Sequence, residues 1–327
     1  MTRRGILGAA AGIAATPLAS ALLPASALAA APQLGLAAPA FARFRLGAFE
    51  LTMIADADVF IDGPYPIIGA NDKQAAVETL MRDNLLPPSR YQPGFTPMLV
   101  NTGKELVIFD TGNGSNGFVP RPQGGWLAAQ LATAGFKPEQ VDVVVLTHGH
   151  SDHVGGIVEA GKPLFPNARY VIAAAEYDFW AAQDNLPADV AAYAGAFGTN
   201  VVPLAEKMTF IKPGDDVLPG IRSLAAPGHT PGHLAFTVES DGERLLLWGD
   251  CAHHQVASLA RPDWHCVFDT DKEQGAQTRK RIYDMAASER VPVMGYHMPF
   301  PSLGYVERLP GGGYRWLAHT YQLSAPK

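Results

Sequence analysis

A valine-rich run at residues 141–146 leads straight into the segment THGHSDHVGG, and this junction constrains the fold more than any other stretch of the chain. The run is almost entirely apolar and rich in β-branched residues, which is typical of a strand buried on both faces. Strands of this kind lie in sheets that other layers cover on both sides. The chain is therefore expected to build layers of sheet and helix around this strand.

The remainder of the chain alternates short apolar runs with turn residues. The runs predict strands at residues 49–55, 98–101, 106–110, 169–173, 221–225, 234–238 and 245–248. Apolar residues at helical spacing predict helices at residues 126–134 and 274–287. Because strands and helices interleave, we expect a layered α/β domain rather than a helix bundle or a β-sandwich.

The first 30 residues have the layout of a bacterial export signal. Arg3 and Arg4 precede an apolar, alanine-rich run that ends in small residues suited to cleavage. The paired arginines indicate the twin-arginine route, while Pro17 and Pro24 interrupt the run and argue against a permanent membrane anchor. We expect residues 1–30 to be removed and residues 31–327 to form one domain that is periplasmic or secreted and has no membrane segment.

Composition excludes several partners and scaffolds. The 25 lysines and arginines face 31 aspartates and glutamates, so the formal net charge is −6 and no basic stripe is available to bind nucleic acid. Two cysteines, Cys251 and Cys266, cannot form a disulfide framework or the CxxC pairs of a zinc ribbon. Both are expected to be small core residues.

The segment after the valine-rich run gathers three imidazoles and one carboxylate within six positions. His148 and His150 are two apart, so both can point the same way from an extended backbone. Asp152 and His153 can then turn to the other side, since nearby glycines allow the backbone to bend. Side chains of these types at this spacing are typical of metal ligands rather than of solvated surface histidines.

This pattern resembles the HxHxDH signature of the metallo-β-lactamase superfamily. The later family landmarks follow in order: His229 in PGHTPGH, Asp250 in WGD and His297 in GYHMPFP. The resemblance covers roughly residues 45–320. It implies an αββα sandwich with two metal ions at one edge of its two sheets.

The resemblance also implies which side chains hold a first metal, hold a second metal and bridge the two. The first metal would be held by His148, His150 and His229. The second would be held by Asp152, His153 and His297, and Asp250 would bridge the two. Asp110 matches a family position that supports the metal site from outside the ligand set.

The chemistry follows from these ligands. Five imidazoles and two carboxylates suit divalent ions, Zn²⁺ best, with Mn²⁺, Co²⁺ and Fe²⁺ as alternatives. Two such ions roughly 3.5–4 Å apart would share a water and lower its pKa towards about 7, which supplies a bridging hydroxide at neutral pH. Asp152 and Asp250 are therefore predicted to be catalytic as well as metal-binding. The expected reaction is hydrolysis.

Branches of the superfamily can be partly separated by sequence. β-Lactamase branches generally lack the bridging carboxylate that Asp250 provides, and glyoxalase II-like thioesterases add a basic C-terminal patch, whereas residues 311–327 hold only Arg315 and Lys327 as cations. The chain looks most like methyl parathion hydrolase-type enzymes and N-acyl homoserine lactonases. This likeness implies lactones, aryl esters or phosphotriesters as small-molecule substrates. A thioesterase, a β-lactamase-like amidase and a non-catalytic metal-binding protein stay open as alternatives.

Three further side chains are expected near the substrate. Phe118 and Trp180 resemble aromatic pocket liners, and His253 follows the bridging aspartate closely enough to enter the pocket. His233, four residues after His229, is instead expected to be a buried hydrogen-bonding residue.

Assembly is predicted from the relatives and from apolar surface. Enzymes of this kind are commonly homodimers. The proline-rich, aromatic segments at residues 60–68 and 85–95 offer apolar surface that a monomer would have trouble covering. We therefore expect a homodimer.

Overall fold

The valine-rich run forms β7 (Val143–Val145), an inner strand of a seven-stranded sheet. The computed structural model describes residues 39–182, 186, 188–191 and 193–320, so the predicted export signal lies outside the described residues. All three residues of β7 are fully buried, as a strand covered on both faces requires. The prediction of a doubly buried strand is confirmed.

Two seven-stranded sheets form the centre of the fold. In spatial order the first contains β1 (Phe41–Leu46), β2 (Phe49–Ile54), β5 (Met98–Asn101), β6 (Leu106–Phe109), β7, β10 (Arg169–Ala173) and β11 (Met208–Ile211). The second contains β12 (Asp216–Leu218), β13 (Ile221–Ala225), β14 (Leu234–Ser240), β15 (Glu243–Leu247), β16 (Val293–Met294), β17 (Leu303–Arg308) and β18 (Tyr314–Ala318). Two short ribbons pair β3 (Ile61–Asp62) with β4 (Arg90–Tyr91) and β8 (Val158–Glu159) with β9 (Lys162–Pro163). Every strand predicted from the sequence is present, within two residues at each end.

Helices cover the sheets. Those of α type are α1 (Gln74–Asp83), α2 (Leu127–Thr133), α3 (Ser151–Val154), α4 (Ala174–Ala181), α5 (Ala188–Ala191), α6 (Ala257–Ala260) and α7 (Lys272–Glu289). Short 3₁₀ segments lie at Pro138–Gln140, Gly155–Ile157 and Val202–Lys207, and one π-helical turn lies at Phe197–Val201. Both predicted helices, α2 and α7, are confirmed. No helix in the described part of the chain is long and apolar enough to cross a bilayer.

Three apolar cores separate the layers. Between the two sheets, Phe109 of β6 packs on Phe236 of β14 with ring centroids 5.2 Å apart. On the outer face of the first sheet, α2 and α4 bury side chains such as Leu131. On the outer face of the second sheet, α7 buries Ile282 and Tyr283. The layer order is helix, sheet, sheet, helix, so the predicted αββα sandwich is confirmed.

The long helix α7 shows how the sequence specifies one of these layers. The Asp271 side chain accepts a hydrogen bond from the Gln274 backbone N–H at 2.9 Å and caps the N-terminus. Ile282, Tyr283 and Ala286 recur at helical spacing and are fully buried. The helix thus presents one apolar stripe to the second sheet.

Strand direction determines where the polar loops meet. β6 and β7 are parallel, and β13, β15 and β16 also share one direction because β14 runs antiparallel between β13 and β15. Their carboxyl ends therefore lie at one edge within each sheet. The backbone N–H of Leu234 donates to the carbonyl of Thr147 at 3.0 Å and joins the two sheets at this edge.

The division of the chain into an export signal and a single domain stays a prediction, and so does the homodimer.

Candidate metal centre

The loop after β7 supplies four of the predicted ligands. Its backbone bends at Thr147, is extended at His150 and then turns into α3. His148 and His150 therefore project from the segment before the helix, and Asp152 and His153 from the first helical turn. All four side chains are buried.

His148, His150 and His229 form what we call the first ligand group. The Nε2 atoms of His148 and His229 lie 3.2 Å apart. Nδ1 of His150 lies 3.1 Å from Nε2 of His148 and 2.9 Å from Nε2 of His229. His229 reaches this point from the loop after β13. Three ring nitrogens that converge so closely suit a shared cation.

Asp152, His153 and His297 form the second ligand group. Oδ2 of Asp152 lies 3.6 Å from Nε2 of His153 and 3.5 Å from Nε2 of His297. Asp250 stands between the groups: its Oδ1 lies 3.2 Å from Nε2 of His153, and its Oδ2 lies 3.3 Å from Nε2 of His229. The structure thus brings all seven predicted ligands together.

Buried polar atoms test whether cations fit here. Among the described residues, Nε2 of His153 and Oδ1 of Asp250 are buried and make no hydrogen bond, although they lie 3.2 Å apart. A buried polar atom without a partner costs about 1–3 kcal/mol, and a cation between these atoms would satisfy both. The donor set matches the preferences of Zn²⁺. The residues therefore fit two divalent cations.

Asp110 supports two ligands from outside the groups. Its Oδ2 accepts hydrogen bonds from Nδ1 of His153 and from the Thr147 hydroxyl, both at 2.8 Å. The Thr147 hydroxyl oxygen in turn accepts from Nδ1 of His148 at 3.0 Å. With Nδ1 engaged, each ring turns Nε2 towards the centre. Asp110 therefore lies where the resemblance placed it.

His229 rests on a buried ion pair that the sequence did not reveal. Its Nδ1 donates to Oδ1 of Asp269 at 3.0 Å, and Oδ2 of Asp269 accepts from Nη1 of Arg279 at 2.8 Å. Burial opposes ionisation of Asp269, but Arg279 and His229 hold its pKa well below its usual range. Asp269 lies 40 residues beyond His229, and no motif in the sequence joins them.

Two histidines near Asp250 make different contacts. His297 donates from Nδ1 to the Gly94 carbonyl at 2.7 Å, which turns its Nε2 towards Asp250. His233 donates from Nδ1 to the Ala226 carbonyl at 2.8 Å, and its Nε2 accepts from the Asp250 backbone N–H at 3.1 Å. His233 is thus a buried hydrogen-bonding residue, and that prediction is confirmed.

Burial and neighbouring charges shift the pKa values of the predicted ligands in different directions. Burial lowers the pKa of His148 and His150 well below the usual value, and neighbouring imidazoles add to this effect. Burial acts in the same direction on His153 and His229, but facing carboxylates raise the pKa of His153 well above its usual value and that of His229 to about 9. Burial would raise the pKa of Asp250, but the surrounding imidazoles lower it well below its usual value. Cations must displace these protons, so their affinity should increase with pH.

The centre opens into a cavity, and five of the seven predicted ligands lie on its wall. Its aromatic lining consists of Tyr91, Phe95, Phe118, Tyr193 and Phe268. Phe118 is 41% exposed and lies between Phe95 and Phe268, with ring centroids about 6 Å from each. The structure therefore places Phe118 in the cavity wall, as expected, and adds four aromatic residues that the sequence did not single out.

His253 also lies on the cavity wall. Its Nε2 is 3.4 Å from Oδ2 of Asp250, and its ring stacks on His297 at a centroid distance of 5.3 Å. Burial lowers the pKa of His253 to about 4, so the ring is neutral at pH 7. In the described part of the chain its Nε2 is buried and makes no hydrogen bond, and with Asp250 and His297 it forms a further group of side chains that could hold a cation.

The prediction that Trp180 lines the pocket is wrong. Helix α4 turns the indole inward, where it is fully buried and donates from Nε1 to Oε1 of Glu176 at 2.6 Å. The ring lies behind His150, with centroids 5.3 Å apart, and does not reach the cavity. Trp180 therefore contacts a predicted ligand from the core.

The fold and the site define a known class of protein. The chain matches the metallo-beta-lactamase superfamily over residues 96–292, and it belongs to that superfamily.

Relatives and solved structures fit this class. The chain is 28% identical over 167 residues to an N-acyl homoserine lactonase of Bacillus cereus; the match covers 51% of the chain and 60% of that lactonase. It is 31% identical over 212 residues to a protein of Mycobacterium bovis named a probable metallo-hydrolase, covering 58% of the chain and 67% of that protein.

One similar solved structure is that of AidC, a dizinc quorum-quenching lactonase in complex with the product N-hexanoyl-L-homoserine. It has a TM-score of 0.76 and 27% identity, and the match covers 86% of this chain and 97% of the AidC chain. The hydrolase AbOPH has a TM-score of 0.79 and 25% identity, covering 87% and 99%.

Proposed function

We propose that this protein is a dinuclear metal-dependent hydrolase of small, uncharged esters, with lactones first, then aryl esters and phosphotriesters. The observation that carries the proposal is the convergence of two ligand groups around Asp250 at the wall of an aromatic cavity. Two divalent cations held there would polarise a carbonyl or phosphoryl oxygen and lower the pKa of an attacking water. The names of the lactonase relatives support the choice of lactones.

The chain's own residues complete the reaction. The carboxylate of Asp152, a member of the second ligand group, lines the cavity, where it can take a proton from the attacking water and return it to the leaving alcohol oxygen. His253 lies on the same wall, and its Nε2, which makes no hydrogen bond, can pair with a substrate bound next to Asp250. The aromatic lining excludes water from the acyl or aryl part of the substrate.

Charge in the cavity favours uncharged substrates. The described residues that line it include no lysine or arginine. An anionic thioester carrier or the carboxylate of a β-lactam would normally be recognised by such a cation. The cavity therefore favours a lactonase or esterase over the thioesterase and amidase alternatives.

The test compares substrates that differ in one property. We would measure kcat/KM for N-hexanoyl homoserine lactone, dihydrocoumarin and methyl parathion with the zinc-loaded protein, and repeat each assay after treatment with a chelator. A matched pair, 4-nitrophenyl butyrate and 4-nitrophenyl hydrogen succinate, isolates the effect of substrate charge. We expect turnover of the lactones that the chelator abolishes, and at least a tenfold preference for the neutral aryl ester. Bound zinc without turnover of any substrate would instead indicate a non-catalytic metal-binding protein.

A further inference from the structure

We propose that Glu176, a buried carboxylate outside the ligand set, is a positioning residue that sets the distance between the two loops of the first ligand group and thereby the affinity of the metal held there. His148 and His150 lie on one of these loops and His229 on the other. This inference rests on the proposed function, because it concerns the metals that the function requires.

Glu176 lies in α4 and is fully buried, and each of its carboxylate oxygens binds a different loop. Oε1 accepts from the backbone N–H of Gly149, the residue between His148 and His150, at 2.8 Å. Oε2 accepts from the hydroxyl of Thr230 at 2.7 Å and from the backbone N–H of Gly232 at 2.9 Å. A single side chain thus holds both halves of the first ligand group.

Glycine is required where both loops approach α4. A Cβ on Gly149 would lie 2.3 Å from Cδ1 of Trp180, and a Cβ on Gly232 would lie 2.2 Å from the backbone nitrogen of Glu176. Side chains at these positions would push the loops away from the helix. The close approach is therefore built into both loops, independently of the hydrogen bonds to Glu176.

Trp180 connects Glu176 to the predicted metal ligand His150. Its Nε1 donates to Oε1 of Glu176 at 2.6 Å, and its ring packs against His150 at a centroid distance of 5.3 Å. Glu176 consequently fixes the indole that limits how far His150 can rotate.

The second ligand group has separate supports. Nδ1 of His153 is held by Asp110, and Nδ1 of His297 by the carbonyl of Gly94. The backbone carbonyl of Asp152 accepts from the hydroxyl of Tyr296 at 2.7 Å. None of these contacts involves Glu176, so its loss should affect one metal position more than the other.

The experiment uses the full-length protein with the Glu176→Gln substitution, which keeps the shape of the side chain and turns one acceptor oxygen into an amide. Zinc affinity is measured by competition with a chromophoric chelator, and crystals of the zinc-loaded variant are examined by anomalous diffraction at the zinc edge. We expect one of the two zinc ions to bind about 10–100-fold more weakly, as is typical when a group that orients metal ligands is lost. The occupancy should decrease at the position formed by His148, His150 and His229.

Asp56→Asn is the matched control. Asp56 is also fully buried and accepts from backbone N–H groups, those of Asn113 at 2.7 Å and Leu127 at 2.8 Å, but it supports residues 113–127, which carry no predicted ligand. We expect this variant to lower the free energy of unfolding without selective loss of either zinc. If both variants lose zinc equally at the two metal positions, Glu176 has only a general role in stability and the inference is overturned.

Two further outcomes are distinguishable. Unchanged zinc affinity in Glu176→Gln, with two zinc ions bound to the wild type, refutes the inference and leaves the proposed function intact, whereas a wild type that binds none of Zn²⁺, Mn²⁺, Co²⁺ and Fe²⁺ refutes the proposed function itself. If Glu176→Gln does not fold, Thr230→Val removes one of the donors and should weaken the same position by about 2–10-fold. No effect of Thr230→Val on that position would then count against the inference.

Discussion

Replacing Arg279 by Met should lower the free energy of unfolding by about 3–5 kcal/mol. The Arg279 side chain is 3% exposed and that of Asp269 is 0% exposed, so the substitution leaves a buried carboxylate without its cation. Breaking a buried ion pair from one side typically has a cost of that size, because the remaining charge is not solvated. The Asp269 carboxylate keeps the hydrogen bond from Nδ1 of His229, which places the expected loss towards the lower end of this range. Arg279 also donates to the carbonyl of Trp264 at 2.9 Å, and this contact is lost as well.

The assay is urea unfolding of the metal-free protein, followed by tryptophan fluorescence. Removing metal first matters because bound ligand adds its own stabilisation to the folded state. At roughly 2–4 °C per kcal/mol, the same loss should appear as a decrease in Tm of about 6–20 °C.

The double variant Asp269→Leu with Arg279→Met is the control. It removes both charges, so most of the lost stability should return. Zinc affinity should nevertheless decrease in the double variant, because Nδ1 of His229 loses its acceptor when Asp269 is replaced. A loss below 1 kcal/mol in Arg279→Met alone would show that the pair is compensated in another way and would refute the argument.

Three other predictions concern the metal, acid stability and export. Asp250→Asn should lower the zinc content below two per chain, whereas His233→Gln should change stability more than zinc content; equal zinc content in both variants, measured by atomic emission, would contradict the bridging role. Burial lowers the pKa of His254 to about 4, against about 6.5 in an unfolded chain, so the unfolded state binds a proton first and stability should decrease as the pH falls from 6.5 to 4. His254→Asn in the metal-free protein should reduce the slope of unfolding free energy against pH by up to about 1.4 kcal/mol per unit, and parallel slopes would count against this assignment. Replacing Arg3 and Arg4 by Lys should leave a folded precursor in the cytoplasm on cell fractionation, and normal export would indicate the general secretory route.

Much of the fold could be predicted because its strongest signals are local. A continuous β-branched run such as residues 141–146 has few alternatives to a buried strand. By contrast, β16 (Val293–Met294) has two residues and no periodicity, and it forms because β15 and β17 flank it. Helix α4 carries apolar residues on several sides, so no polar stripe marks it in the sequence.

The ligands of the candidate site were predictable for a similar reason. Histidines at fixed spacing in one loop are informative without any knowledge of tertiary contacts. Glu176 and Asp269 act on loops 54 and 40 residues away, and an isolated acidic residue is more often a solvated charge. Trp180 shows the opposite error, since an aromatic residue near a metal motif can equally well belong to the core.

The two sheets are also consecutive in the chain: the first is built from residues 41–211 and the second from residues 216–318. The turn between them, residues 212–215, is exposed. A chain cut at this turn would yield two fragments, one with four of the seven predicted ligands and the other with three, and neither would hold a complete metal position. Reassembly of the fragments would need the shared apolar interface and would be strengthened by zinc. The fold is therefore a natural starting point for a split enzyme whose halves reunite when the metal is supplied.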